Sequence, residues 1–484
     1  MSVAAGWMAA AGSERLRVEL GRAALRVRLL KLLCMIAFAV AFWYSVPYVL
    51  PFVPGNSLDR AASAANDAQA GNLSRQIAMP LVGVLSVFLL WRLPKRGRVG
   101  GRMAYFVIAY IVWAVMSVAW SESPALSAKR IVVFLLNLLF AYMVARVFST
   151  MELALMGFMA TGSVAALAVY SDVVMQRIFS PSNAEYRFQG VTTANFQAMS
   201  LCVLLFCIAA LMDRKPSWTG RLSAMAVIAW GLLFMTRSRM SFVLGTVMVF
   251  FMLVRHARTR WSAASRAMIV VAAVAVVLPA LIYVAVSKGS RAVQTAFMLG
   301  RDDTQNTASL SNRMPLWQEL SESIAEKPLL GFGYEAFWNA DRVARISADQ
   351  GWTVPHAHNS YLDQVLSLGV VGAFFYAMVL WWACAAAWRR YRASRDAGAL
   401  LIAVLLTWLA LEGLTESAPI DAYLPTLLAY ACVMKMCLVA GSEKDADAFV
   451  GEQEFVTTLT PADLERLPAE QHAEATKLLA GGRA

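Results

Sequence analysis

The chain has four histidines, and two of them lie one residue apart at the start of an apolar stretch. His356 and His358 occur in HAHNSYLDQVLSLGVVG, residues 356–372. A histidine has an ordinary pKa near ~6.5, so it can take a proton from a hydroxyl group at neutral pH. Two histidines at this spacing can also bind zinc from an extended segment, or lie in a solvated turn. The pair is therefore a candidate general base, a metal ligand or a turn.

The metal interpretation needs a third protein ligand. Asp349 and Asp363 are the carboxylates that the neighbouring sequence offers, which makes this the weaker alternative. The six cysteines all lie in apolar runs and form no CxxC pair, so we interpret them as small hydrophobic residues. We expect no metal ion and no other cofactor.

Other polar residues lie near the ends of apolar runs, and the topology below places them on one face of the membrane. Ionisable groups close to a membrane are costly and indicate function, although an arginine can also extend cheaply to the interface. Arginine binds phosphate oxygens through a bidentate fork and stabilises the charge of a leaving pyrophosphate. A base with such a clamp suits group transfer from a lipid pyrophosphate. The residues are Arg187, Asn195, Arg237, Arg239, His356, His358, Asn359, Asp363, Glu412 and Glu416.

His358 also has a favourable local position. Asn359 and Ser360 precede an apolar run, and either of them is a suitable N-cap for a helix. The positive end of that helix would disfavour an imidazolium at His358 and keep its ring neutral, so that it can accept a proton. Within the run, Gly369 and Gly372 are expected to be close-packing positions.

The composition is that of a membrane protein. The chain contains 59% hydrophobic and only 15% charged residues, whereas a soluble domain has about 25% charged residues. Its apolar runs do not alternate in hydrophobicity as barrel strands do, so we predict an all-α polytopic membrane protein. The net charge of +12 is explained by basic loops that set the orientation, rather than by nucleic-acid binding.

Twelve apolar runs have about the length that a bilayer core requires, which is ~20 residues. The distribution of lysine and arginine among the loops predicts that both termini are cytoplasmic. The first run is long for a signal peptide, so we expect an uncleaved first helix; cleavage near the small-residue stretch 61–65 is the alternative. The predicted spans are 29–53, 77–93, 103–120, 131–148, 153–176, 196–213, 222–236, 240–254, 268–286, 360–387, 399–415 and 419–440.

One loop is much longer than the others. It must have structure or function, because it is too long for a simple turn. Within it, NRMPLWQELSESIAEKP predicts a short amphipathic helix that ends at Pro328 and packs on the membrane domain through Leu316, Trp317, Leu320 and Ile324. The predicted parts are a cytoplasmic N-terminal segment (1–28), spans 1–9 (29–286), the large periplasmic loop (287–359), spans 10–12 (360–440) and a cytoplasmic polar tail (441–484).

Arg313 stands four residues before Trp317 on this predicted helix. It can lie over the indole ring as a cation–π contact, or it can bind an anionic ligand. The sequence favours neither interpretation.

The order of several motifs resembles the O-antigen ligase and Wzy-like polysaccharide polymerase family. The central motif is His358-Asn359, nine residues, Gly369, two residues and Gly372. Each further piece is weak alone, but all of them occur in the family's order over spans 3–12. They are WSESPALSAKR (120–130), RFQGVTTANFQA (187–198), MTRSRMS (235–241), NRMPLWQELSESIAEKPLLGFGYEAF (312–337) and LTES (414–417).

The resemblance implies a fold related to the C-type glycosyltransferases (GT-C). It implies metal-independent transfer of a glycan from an undecaprenyl-pyrophosphate carrier to an acceptor hydroxyl at the periplasmic face of the bacterial inner membrane. The expected partners are this donor, a glycan or lipid-linked acceptor, membrane lipids and a chain-length regulator, but no nucleic acid. The implied site comprises His358 as the base with His356 as the second candidate, Arg187, Arg239, Arg237 and Arg313 on the pyrophosphate, and Asn359, Asn195 and Glu416 in support.

Three functions compete. A polymerase would join lipid-linked repeat units of an exopolysaccharide or O-antigen. A ligase would move the finished glycan to lipid A-core or to a protein, and it differs only in its acceptor. A flippase or transporter would also have about twelve spans, but its key polar groups would be expected at the bilayer midplane rather than at one face.

Overall fold

The computed structural model describes residues 29–33, 35–36, 73–92, 98–175, 177–180, 186–190, 192–214, 216–260, 313–417 and 424–439. The predicted N-terminal segment, span 9 and the polar tail lie outside these residues, as do most of span 1 and the first part of the large loop. The described helices are α1 (Leu73–Arg92), α2 (Gly101–Met116), α3 (Pro124–Val147), α4 (Thr150–Tyr170), α5 (Ala194–Arg214), α6 (Thr219–Met235), α7 (Arg239–Arg260), α8 (Arg313–Glu326), α9 (Ala340–Gln350), α10 (Ser360–Ser394), α11 (Ala397–Glu412) and α12 (Leu424–Cys437).

Short elements connect some of these helices. A 3-10 turn, Ser117–Trp120, extends α2, and a π-helical turn, Ser171–Met175, extends α4. A second 3-10 turn, Pro216–Trp218, precedes α6. Two residues of the connection before α2, β1 (Arg98–Val99), pair antiparallel with β2 (Leu438–Val439) directly after α12.

The described residues form a multi-pass membrane protein. Within the described ranges, five helical stretches are long and apolar enough to cross a membrane, namely Gly101–Trp120, Pro124–Val147, Thr150–Met175, Ala194–Asp213 and Ser360–Ser394. Shorter apolar helices cover Met79–Arg92, Thr219–Met235, Ala397–Glu412 and Thr426–Cys437. The helices lie where hydropathy predicts spans 2–8 and 10–12, while the total of twelve spans and the GT-C relationship stay predictions.

Helix α5 is at the centre of the helical core. Its residues from 201 to 212 are all buried, and it packs against α4, α6, α7 and α11. The rings of Phe206 on α5 and Trp408 on α11 meet edge to face, with centroids 5.5 Å apart. A helix that is apolar on all faces suits such a position, because every face lies against another helix. The central helix therefore holds together the elements that carry the polar residues described below.

The loops predicted to lie on the same side contact one another. On the predicted cytoplasmic side, Lys31 Nζ lies 2.6 Å from Glu152 Oε1, and Arg255 donates to the carbonyl of Arg395 at 2.7 Å. The residues predicted on the outer side contact one another through separate bonds, which are described below. The two sets of contacts agree with the predicted alternation of the loops, although the orientation itself stays a prediction.

The large loop contains the predicted amphipathic helix and a second helix that the sequence did not predict. Helix α8 ends two residues before Pro328, and its Leu316 and Leu320 are fully buried, so the predicted helix and its buried face are confirmed. This face packs mainly against other residues of the large loop and against Leu366 of α10, rather than on the main helical core. Helix α9 begins after Asn339, whose side chain accepts from the Arg342 amide at 2.9 Å. Both helices contribute to a small apolar cluster of Leu316, Leu320, Phe332, Phe337, Trp338, Val343, Ile346, Val354, Ala357 and Leu366.

Helix α10 is broken at Gly369, which has φ +68°. The large loop crosses the break, and its Phe332 amide donates to the carbonyl of Leu366 at 2.8 Å. A Cβ at Gly369 would overlap the backbone carbonyl of Leu329, so only glycine fits here. The predicted close packing at this position is confirmed. The break itself was not predicted, because the sequence indicated a continuous span.

Candidate active site

His358, which is partly buried, and the buried Glu416 form a pair, although 58 residues separate them in the sequence. The Nδ1 atom of His358 lies 3.1 Å from Oε2 of Glu416, in the turn that follows α11. An ionised carboxylate only accepts hydrogen bonds, so we assign the ring proton to Nδ1. The Nε2 atom is then an acceptor. It is buried and has no hydrogen-bond partner among the residues that the structure describes.

Glu416 is held from two other sides as well. The side-chain amide of Asn195 donates to Oε1 at 2.6 Å, and Arg313 donates to the same oxygen at 2.5 Å. Burial alone would raise the pKa of Glu416, but His358 and Arg313 together outweigh it and lower the pKa to about 2. The carboxylate is therefore ionised at any working pH and can orient the histidine.

Arg187 is linked to this pair through Asn195. Its NH2 donates to Oδ1 of Asn195 at 2.9 Å, and its Nε donates to the carbonyl of Thr236 at 3.0 Å. The amide of Phe188 also donates to the carbonyl of Met235 at 2.9 Å, which fixes this segment against the end of α6. Five predicted site residues are thus joined by direct bonds: Arg187, Asn195, Arg313, His358 and Glu416.

Arg237 lies in the turn between α6 and α7, and Arg239 is the first residue of α7; Arg187 contacts the start of this turn at the carbonyl of Thr236. Arg237 has φ +54°, and the side chains of both arginines are half-buried. The side chain of Ser241, in the first turn of α7, donates to Oε1 of the fully buried Glu412 on α11. The turn is therefore tied to the helix that leads to Glu416.

Asn359 is the N-cap of α10. Its Oδ1 accepts from the amides of Tyr361 at 2.9 Å and Leu362 at 3.1 Å, which confirms the predicted cap and selects it over Ser360. The preceding residue, His358, has φ +51°, a left-handed conformation that a histidine adopts at some cost. Such strain is typical of sites where the surrounding structure fixes the backbone for function.

His356 is a neutral neighbour of His358 rather than a second partner of Glu416. The centroids of the two rings are 4.2 Å apart, and Nδ1 of His356 accepts from the amide of His358 at 3.3 Å. Burial, followed by the charge of His358, lowers the pKa of His356 to about 3 against the opposing effect of Glu416. Its ring therefore stays unprotonated and supports the backbone of His358.

Arg313 contacts Glu416 rather than the ring of Trp317. The indole of Trp317 donates instead to the carbonyl of Ala357 at 2.8 Å. Of the two predicted interpretations of Arg313, the structure places its guanidinium at the polar site, and no cation–π contact with Trp317 occurs among the described residues. Helix α8 thus brings two side chains, one turn apart, to the histidine segment.

Asp363 has a place that the sequence did not predict. It was considered only as a polar residue at a span end and as a third zinc ligand. In the described part of the chain, no three His, Cys, Asp or Glu side chains are grouped as metal ligands would be. Asp363 instead accepts from the Trp338 indole at 2.7 Å and the Ala357 amide at 3.1 Å. An acidic residue in the first turn of an apolar helix was the signal that could have indicated this role.

The fold and this site define a polytopic membrane protein with a carboxylate–histidine pair and nearby arginines at one face. Comparison with known proteins gives two matches. The model of the O-antigen ligase family matches residues 224–377, which include Arg237, Arg239, Arg313, His356 and His358. The exopolysaccharide production protein ExoQ of Rhizobium meliloti (strain 1021) is 26% identical over 320 residues, which is 62% of this chain and 70% of that protein.

Together these matches support the assignment of the chain to the O-antigen ligase and Wzy-like family, as its motifs indicated. Arg187, Asn195 and Glu416 lie outside the range that the family model matches. Their place in the site is given by the hydrogen bonds of the structure.

Proposed function

We propose that the protein is a glycosyltransferase that polymerises repeat units carried on undecaprenyl pyrophosphate, at the periplasmic face of the bacterial inner membrane. The observation that supports this proposal is the hydrogen bonding of the two ring nitrogens of His358. Its Nδ1 is bonded to an ionised carboxylate, and its Nε2 is buried without a partner among the described residues. This is the arrangement of a general base that is fixed in one tautomer.

In the proposed step, Nε2 of His358 takes the proton of an acceptor sugar hydroxyl. The acceptor oxygen bonds to the anomeric carbon of the donor glycan. The bond between that carbon and the pyrophosphate oxygen breaks, and both electrons leave with the pyrophosphate. Glu416 stabilises the imidazolium that forms, because it accepts a hydrogen bond from the Nδ1–H group and carries the opposite charge.

The arginines have the complementary task. We assign Arg187 and Arg239, with Arg237 and Arg313, to the pyrophosphate of the donor. Arg313 is hydrogen-bonded to Glu416 directly, and Arg187 is linked to it through Asn195. A pyrophosphate between the two arginines would therefore lie beside the base. Guanidinium groups suit this role because they hold their charge at every pH and bind two phosphate oxygens at once.

The two histidines have different roles in this proposal. His358 is the base, because its Nδ1 is the one bonded to Glu416. Nδ1 of His356 accepts a hydrogen bond from the amide of His358, and burial keeps the ring of His356 neutral. His356 is therefore a positioning residue. The extra histidine that the family motif does not need thereby acquires a function of its own.

The second candidate is a ligase, because the description of the matched family is O-antigen ligase. The reaction is the same, but the acceptor hydroxyl belongs to lipid A-core or to a protein. ExoQ is described as an exopolysaccharide production protein, and this description favours the polymerase.

The purified protein in detergent separates these functions. With lipid-linked oligosaccharide alone and a chelator present, a polymerase makes a ladder of longer glycans that stay on the lipid. A ligase makes product only when lipid A-core or an acceptor protein is added. A protein that leaves the glycan unchanged under both conditions would contradict the proposal and would favour a transporter.

A further inference from the structure

Asp363 joins three separate segments of the chain in the first turn of α10. Its Oδ1 accepts from the indole of Trp338 at 2.7 Å and from the amide of Ala357 at 3.1 Å. Its Oδ2 accepts from the hydroxyl of Ser417. The side chain is only 2% exposed. A carboxylate in this position is costly to bury, so the bonds that it accepts are expected to be important.

Two of these three bonds lie next to the proposed catalytic pair. Ala357 directly precedes His358, and Ser417 directly follows Glu416. Asp363 therefore fixes the segment of the proposed base, His358, through Ala357. It fixes the segment of the orienting carboxylate, Glu416, through Ser417. The hydroxyl of Ser417 also accepts from the amide of Asn359 at 3.1 Å, which closes a ring of bonds around His358.

The large loop completes this arrangement. The carbonyl of Ala357 accepts from the indole of Trp317 at 2.8 Å, so both polar groups of Ala357 are fixed, one by α8 and the other by Asp363. The second indole, that of Trp338, donates a hydrogen bond to Asp363 itself. These bonds hold His358 at its left-handed φ of +51°, which an unsupported histidine would leave.

We propose that Asp363 is a positioning residue that sets the geometry between His358 Nδ1 and Glu416 Oε2, and with it the rate of glycosyl transfer. This inference rests on the proposed role of His358 as the base. Asp363 touches neither the substrate nor the proton that moves. It acts through Ala357 and Ser417, and a displacement of about 1 Å at a reacting group costs about 10²-fold in rate.

The test uses Asp363→Ala, with Ser417→Ala as a milder variant: it removes the hydroxyl that joins Asp363 to the amide of Asn359 but leaves the bonds of Asp363 with Trp338 and Ala357, so we expect a smaller loss of kcat. For Asp363→Ala we expect kcat to fall about 10²-fold while the KM for the lipid-linked donor changes less than about threefold. In a Glu416→Gln background the same change should cost less than about threefold, since the pair that it positions is already lost. Equal losses in both backgrounds would overturn the proposal.

The matched control is Asp396→Ala, at the start of α11, which is the end of that helix away from Glu416. Asp396 is also a helix cap that accepts from an amide and a hydroxyl, those of Ala399 at 2.9 Å and Thr150 at 3.3 Å. Its loss should lower the unfolding temperature, because a helix cap is removed, and leave kcat unchanged. If both variants lower kcat in proportion to their thermal stability, Asp363 is only structural.

A second measurement does not depend on activity. The rate at which diethyl pyrocarbonate modifies His358, followed by mass spectrometry, should rise several-fold in Asp363→Ala, because the buried Nε2 gains access once the ring of bonds opens. Asp396→Ala should leave it unchanged. A wild type that makes no glycan product would contradict the proposed function alone. An unchanged modification rate in Asp363→Ala would contradict the positioning role alone.

Discussion

Replacing Glu416 by glutamine tests how the histidine is oriented. Glu416 accepts three hydrogen bonds, two on Oε1 from Asn195 and Arg313 and one on Oε2 from His358. Glutamine has one oxygen and one amide nitrogen. Its oxygen is expected to face Asn195 and Arg313, since an arginine can only donate and the Oδ1 of Asn195 already accepts from Arg187, which leaves its amide to donate. The amide nitrogen then faces Nδ1 of His358.

The size of the effect follows from this geometry. An amide N–H beside Nδ1 forces that atom to accept, so the ring proton moves to Nε2 and the base is lost. A positioned general base contributes about 10²–10⁴-fold to a rate, so we expect kcat to fall within that range. Stability should change little, because Asn195 and Arg313 keep an oxygen partner, although a neutral acceptor is weaker by about 1 kcal/mol than a charged one.

The assay is the initial rate of glycan transfer by purified protein, with thermal unfolding in the same detergent. Glu152→Gln is the matched control, since Glu152 also forms an ion pair, with Lys31 at 2.6 Å, but on the predicted cytoplasmic side, away from His358. We expect Glu152→Gln to keep wild-type kcat. A Glu416→Gln protein that is folded and within about threefold of wild-type kcat would refute the orientation of His358 by this carboxylate.

Three further predictions concern single residues. His356→Asn should keep most of the activity, because the asparagine oxygen can accept a hydrogen bond from the His358 amide. Its pH–rate profile should be unchanged, because the pKa of His356, about 3, lies below the working pH range. Loss of the acidic or the basic limb of the profile would show that His356 titrates. Arg239→Lys should lower kcat/KM by roughly tenfold, because it keeps the charge but loses the fork; wild-type kinetics would exclude Arg239 from the pyrophosphate. Gly369→Ala should lower the unfolding temperature, since its left-handed backbone costs about 1 kcal/mol or more for alanine and its Cβ would overlap Leu329; an unchanged unfolding temperature would contradict the close packing.

The sequence predicted the parts of this fold that depend on local pattern. Long apolar runs predicted the helices, and the spacing of Leu316 and Leu320 predicted α8 and its buried face. The polar residue before an apolar run predicted the cap at Asn359. Each of these features is decided within a few residues along the chain, so one sequence is enough to find it.

The remaining features depend on contacts between distant segments. Nothing local indicates that Glu416 would meet His358, because the two residues are joined only when α10 and α11 pack together. The break at Gly369 exists because the large loop crosses the helix there, and a glycine alone does not predict it. Asp363 was grouped with the polar residues of the outer face, but its three partners come from three separate segments.

The most direct test of the account is the rate of glycan transfer by His358→Ala beside His356→Asn, with lipid-linked oligosaccharide as substrate. We predict that His358→Ala is folded and loses about 10²–10⁴-fold in kcat, whereas His356→Asn retains activity. Full activity in His358→Ala together with loss in His356→Asn would move the base to His356. Full activity in both variants would contradict base catalysis at this site.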